Sequence, residues 1–162
     1  MTKTELLIDE ARMLYANGNA ATKTWLEGKF EKAELTKSFR DQFNAWEDFC
    51  AYSSAKLNIN PELPYASPAN GMDRFLNATK KVAIMSIVLR QGRKHNWTDK
   101  NERKVRPYYD MSSGFGLSYY GCVNVDPGTI VGSRLCFGEY EDFKYLFDKF
   151  PDVFEDLMLE RD

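Results

Sequence analysis

The sequence has few of the residues on which catalytic and metal sites usually rest. His95 is the only histidine in 162 residues, and the three cysteines, Cys50, Cys122 and Cys136, form no Cys-x-x-Cys pair. A zinc site needs about four closely spaced Cys, His or acidic ligands, so we expect no metal and no cofactor. A sparse, odd cysteine set predicts reduced thiols. His95 stands in a polar stretch, which predicts an exposed, non-catalytic side chain.

Long apolar runs are also absent. The longest one, residues 82–89, is interrupted by Ser86 and is far shorter than the roughly 20 residues that span a bilayer. The N-terminus carries Glu5, Asp9 and Glu10 where a signal peptide would be apolar. Hydrophobic residues still make up 43% of the chain, which is enough for a core. We therefore expect one soluble domain over residues 1–162 that does not contact a membrane.

Helical periodicity dominates the first part of the chain, to about residue 95. Apolar spacing predicts helices over residues 2–17, 20–32, 38–57 and 69–91. Three prolines between residues 58 and 70 predict a loop there. The fourth helix is apolar on nearly all sides, which predicts a central position in the fold.

The pattern changes after Arg106. Alternating residues predict strands at 106–111, 115–120 and 130–137, and short connections favour antiparallel pairing as a β-meander. An aromatic stripe from Tyr140 to Leu157 predicts a closing helix against the sheet. Pro151 should either kink this helix or begin a second short one. The predicted fold class is α+β: N-terminal helices, then a three-stranded antiparallel β-meander and a C-terminal aromatic helix over about residues 106–162.

Charge is divided sharply along the chain. Residues 80–106 contain nine basic and two acidic side chains, a net charge of +7, whereas residues 138–162 contain three basic and nine acidic ones, a net charge of −6. A basic segment with aromatic side chains is typical of a surface that binds a phosphate backbone. The other interpretation is a solvated charged face, since the whole chain has a net charge of −2. The candidate partner-binding residues are Arg93, Lys94, Trp97, Arg103, Lys104, Arg106 and Tyr108.

A third class of function, hydrolysis by paired carboxylates, has less sequence support. Such pairs meet only in the folded chain. Asp110 and Asp126 flank the predicted second strand, but acidic residues are common in turns. No residue pattern in the sequence marks a catalytic group.

Several short segments resemble a family of small uncharacterised proteins encoded by bacteriophages (including crAss-like phages), prophages and mobile elements of gut Bacteroidales. The likeness is densest after about residue 80, in Asn96-Trp97-Thr98, Pro107-Tyr108-Tyr109 and Gly132-Ser133-Arg134-Leu135-Cys136-Phe137. It also includes Trp25-Leu26-Glu27 and Leu63-Pro64 near the N-terminus. The resemblance implies a phage or mobile-element origin and action in the bacterial host cytoplasm or the virion. It implies no catalytic residues.

Three hypotheses follow. The first is a non-enzymatic interaction protein that is virion-associated or binds a host protein. The second is a nucleic-acid-binding accessory protein that uses residues 80–106. The third is a carboxylate-dependent enzyme.

Overall fold

The computed structural model describes residues 8–99, 101–102, 104–110, 118–124 and 135–159. The chain divides into two compact units, residues 1–42 and 43–162. Each unit has apolar side chains of its own in a buried cluster.

The first unit is built from short helices around a small core. Its elements are α1 (Ile8–Asn17), α2 (Ala20–Glu27), α3 (Lys32–Thr36) and a 3-10 helix (Phe39–Gln42). Each α-helix buries one residue in the core: Ala11, Leu26 and Leu35. Asn19 begins α2 because its side-chain oxygen accepts a hydrogen bond from the Thr22 N–H. The helix predicted over 20–32 begins as expected but ends early, at Glu27, and α3 begins only at Lys32.

The described residues of the second unit form four α-helices. They are α4 (Trp46–Leu57), α5 (Gly71–Leu89), α6 (Tyr140–Lys149) and α7 (Pro151–Met158). The continuous helix predicted over 38–57 is wrong, because the Asp48 carboxylate accepts hydrogen bonds from the backbone N–H groups of Asn44 and Ala45 and fixes the start of α4 there. Pro151 begins α7 at its first turn, where its missing N–H costs nothing.

Helix α5 is the centre of this unit, which confirms the prediction from its broad apolar surface. It packs against α4, α6 and α7, most extensively against α7. Phe143 of α6 lies among other aromatic rings, with centroid distances of 5.5 Å to Phe137, 5.8 Å to Phe147 and 5.4 Å to Phe154. Arg74 of α5 also lies 3.8 Å from the Asp156 carboxylate of α7.

Two strands form an antiparallel ribbon. Strand β1 (Val105–Asp110) pairs with β2 (Ser118–Asn124), with an irregularity between Tyr108 and Tyr109. On the other side of β1, Val105 and Phe137 exchange both backbone hydrogen bonds at 2.8 Å in one isolated bridge.

The predicted α+β fold with a three-stranded meander is wrong. The described residues are predominantly helical, with seven α-helices against one pair of strands. Residues 111, 115–117 and 130–134 of the predicted strands lie outside the described residues. Of the third predicted strand, only Phe137 is seen paired. Helix α7 packs chiefly on α5, whereas α6 contacts α5, α7 and β1. The broad apolar surface of α5, and not a sheet, is therefore the main packing partner of the last helix.

None of the helices in the described ranges is both long enough and apolar enough to span a membrane.

Candidate anion-binding groove

The chain turns sharply at the end of α5. Gln91 and Gly92 both have left-handed backbones, with φ of 53° and 76°, and the Gly92 N–H donates 2.9 Å to the carbonyl of Ile87. A Cβ on Gly92 would lie 2.9 Å from Leu57 Cδ2. Glycine therefore allows the basic loop, residues 90–104, to pass close to the end of α4.

His95 anchors this loop in the interior. Its Nδ1 lies 3.3 Å from Glu102 Oε1 and its Nε2 lies 3.2 Å from the carbonyl oxygen of Cys136. The Ser86 hydroxyl of α5 donates to the same Cys136 carbonyl at 2.6 Å. The expectation of an exposed His95 is wrong, since its residue is only 8% exposed. Its two ring nitrogens contact Glu102 and Cys136, and no sequence pattern predicts these contacts.

Glu102 collects the polar groups of the loop around one carboxylate. Oε2 accepts a 2.5 Å hydrogen bond from the Asn96 N–H and lies 3.5 Å from Lys104 Nζ. Desolvation by itself would raise the pKa of Glu102, but the hydrogen bonds from Asn96 and His95 and the charge of Lys104 outweigh it and lower that pKa. Glu102 is thus held as a carboxylate that braces the loop.

Lys104 lies beneath the loop surface and is only 3% exposed. Its ammonium donates to the carbonyls of Asp99 and Glu102, at 2.8 and 3.1 Å. It also sits over the Trp97 ring, 5.7 Å from the centroid, as in a cation–π contact. Trp97 meets the His95 ring edge-on at 5.9 Å, so its indole is held from two directions.

A groove of about 690 Å³ opens between this loop and the end of α4. Exposed cations stand along it: Lys56 from α4, and Arg93 and Lys94 from the loop. Trp97 contributes its half-buried ring. Leu57, Ile59 and Ile87 add apolar surface, and the rest of the lining comes from Arg90, Gln91, Gly92 and His95. Among the described residues, the lining contains no carboxylate, so the groove can attract an anion without competition from its own walls.

Arg90 also lines the groove, but its guanidinium is committed to the loop. Its Nε donates to the Ser86 carbonyl at 3.2 Å and its Nη1 to the Arg93 carbonyl at 2.7 Å. Burial lowers the pKa of Arg90 from its usual value. Arg90 therefore stabilises the turn and adds positive charge to the groove lining.

A smaller hollow, about 190 Å³, shares Arg90, Arg93, Lys94 and His95 with the groove. Its walls also carry three carboxylates, those of Glu102, Glu139 and Asp142. Glu102 is bound as described, and Glu139 and Asp142 have further polar or ring contacts of their own. We interpret this hollow as a structural ion network. No group of three His, Cys, Asp or Glu within the described segments could hold a metal ion.

Three of the predicted binding residues meet at the groove: Arg93, Lys94 and Trp97. Lys104 supports the Trp97 ring from below instead of facing the groove. The sequence-based selection missed Lys56, whose position depends on how α4 meets the loop. The only sequence feature that pointed to Lys56 was its position near the end of a predicted helix.

The other predicted residues are not among the described residues that line the groove. Arg106 and Tyr108 lie on β1, where they pair with Val123 and Gly121 of β2. Arg103 lies outside the described residues. Asp110, of the carboxylate hypothesis, ends β1, and Asp126 again lies outside the described residues.

Comparison with known protein families, curated proteins and solved structures finds no match to this chain. The phage-family resemblance therefore stays a prediction without further support.

Proposed function

We propose that this protein is a binding protein whose groove holds the phosphate backbone of a nucleic acid. The observation that carries the proposal is the convergence of Lys56, Arg93 and Lys94 on one groove whose described lining has no carboxylate. Phosphate contacts supply most of the sequence-independent affinity for nucleic acid. The net charge of the chain is −2, so attraction must come from this local surface.

The expected affinity is modest and strongly dependent on salt. Three basic side chains that each release counterions from a single strand give a slope of about −2 in log affinity against log salt. Binding measured by anisotropy of a labelled oligonucleotide between about 50 and 200 mM salt tests this value.

A charge-matched pair of variants separates the groove from general electrostatics. Arg93→Gln with Lys94→Gln removes two positive charges at the groove, and Lys144→Gln with Lys149→Gln removes two from α6, where both lysines are exposed. We expect the first pair to reduce the salt slope by about 1.4 and the second to leave it nearly unchanged. Absence of binding at low salt, or equal losses in both pairs, would refute the proposal.

A second candidate function, binding of a protein partner, is favoured by the first turns of α5. Met72, Phe75 and Leu76 are 64%, 40% and 36% exposed at one end of that helix, and adjacent exposed apolar residues often mark interaction sites. The partner would be a host or virion protein in the bacterial cytoplasm. Affinity capture with the wild-type chain and with Met72→Ser/Phe75→Ser tests this function: a specific partner must be lost in the variant.

A further inference from the structure

We infer that the groove selects single-stranded nucleic acid, with one base stacked on Trp97. This inference rests on the proposed function, because it names the kind of strand that the same groove binds. The observation that carries it is an aromatic ring fixed at the wall of a cationic groove. Base stacking on aromatic side chains is how proteins hold single strands without reading sequence.

The Trp97 ring is positioned before any ligand arrives. The Lys104 ammonium lies 5.7 Å from its centroid on one side, and His95 contacts it edge-on. Both supports are themselves buried and hydrogen-bonded, to Asp99, Glu102 and Cys136. A ring held by buried neighbours loses little freedom on binding, so more of the stacking energy appears as affinity.

The groups proposed to contact phosphate and base lie together in this groove. Arg93 and Lys94 precede Trp97 in the same loop, and Lys56 contributes a third cation from α4. The volume of about 690 Å³ falls within the range of pockets that enclose small ligands, which suits a nucleotide or two but not a duplex. In a duplex the bases are already stacked and paired, so only an unpaired base can reach the indole.

The chain provides a closely matched control tryptophan. Trp46, at the start of α4, is also half-buried and has the Lys81 ammonium 5.8 Å from its ring centroid. Its ring is not part of the groove lining. Trp46→Leu thus repeats the loss of an indole and of a cation–π contact within the same unit, away from the cations of the groove.

The experiment measures binding of a labelled single-stranded oligonucleotide, a duplex of the same sequence and inorganic polyphosphate to four proteins: wild type, Trp97→Leu, Trp97→Phe and Trp46→Leu. We expect Trp97→Leu to weaken single-strand binding roughly 5- to 150-fold, the affinity value of stacking one base. Trp97→Phe should recover most of this loss. Polyphosphate binding should be the same in all four proteins.

The outcomes separate the two proposals. If none of the three polyanions binds the wild type at low salt, the proposed function fails. If single strand, duplex and polyphosphate bind equally well and Trp97→Leu matches Trp46→Leu, the function stands and the stacking inference is overturned. Equal loss of polyphosphate and single-strand binding in Trp97→Leu also overturns it, because the indole would then support the groove and not a base.

Discussion

The hydrogen bond from Ser86 to the Cys136 carbonyl offers a direct test of how the basic loop is held. Ser86 and Cys136 are both fully buried, and the hydroxyl donates at 2.6 Å. Ser86→Ala removes this donor, but His95 Nε2 still faces the same carbonyl. Because the acceptor keeps one partner, we expect the cost of a net hydrogen bond, about 0.5–1.5 kcal/mol, and not that of an orphaned buried carbonyl.

Helix propensity acts in the opposite direction, since alanine is favoured over serine inside a helix by about 0.5 kcal/mol. Ser54→Ala measures that gain by itself, because Ser54 is an exposed residue within α4. We expect the unfolding free energy of Ser86→Ala to lie about 0.5–1.5 kcal/mol below that of Ser54→Ala. Urea unfolding gives both values, provided that the two variants show the same slope of unfolding free energy against urea concentration.

A double-mutant cycle with His95→Leu sharpens the test. With both side chains gone the carbonyl of Cys136 has lost both groups that face it, so the double variant should lose more than the sum of the single losses by at least about 0.5 kcal/mol. Equal stability of Ser86→Ala and Ser54→Ala, or strict additivity in the cycle, would show that the shared carbonyl does not stabilise the fold.

Two further predictions concern the same loop. Gly92→Ala should cost about 1–2 kcal/mol of unfolding free energy, because Gly92 has a positive φ and lies close to Leu57. Gly138→Ala is the control: the nearest atom to its added Cβ would lie at 3.5 Å, so it should cost less than half as much. Equal urea midpoints for the two variants would contradict this prediction. Because the pKa of Glu102 is lowered in the folded state, its stabilisation is complete above the unfolded value of about 4.3 and is lost as the pH falls through the folded one. An acid titration of stability should therefore be shallower in Glu102→Gln, and identical curves would refute the assignment.

Local structure was largely predictable from sequence. The end of α1 at Asn17 and the break at Pro151 follow from residues whose backbone preferences act locally. The central position of α5 follows from its breadth of apolar residues. The prediction failed where a local cap interrupts an apolar pattern. The apolar stripe over residues 38–57 predicted one helix, but hydrogen bonds to Asp48 start α4 at Trp46.

The number of strands and the partner of the C-terminal helices could not be obtained in this way. Alternation in short segments near glycines indicates extended chain but does not say what covers it. Here α7 packs chiefly on α5, a choice that depends on the folded arrangement of the helices.

The candidate site was predictable only in part. Its charge was visible as a run of basic residues, and Arg93, Lys94 and Trp97, which line one groove in the structure, are near neighbours in the chain. The burial of His95 and Lys104 was not visible, because their partners include the backbone carbonyls of Cys136 and Asp99, and a carbonyl carries no signature in the sequence. Lys56 was missed because its place at the groove depends on how the end of α4 meets the loop.

The two contacts that the Cys136 carbonyl makes have a consequence for the order of folding. The Ser86 hydroxyl and His95 Nε2, which face this carbonyl, lie 50 and 41 residues earlier in the chain, so both contacts close long loops and are expected to form late. During synthesis, α5 and the basic segment leave the ribosome well before Cys136 does. Until it arrives, Ser86 and His95 have no acceptor there, and the cationic groove is completed only when the C-terminal part of the chain has joined the fold.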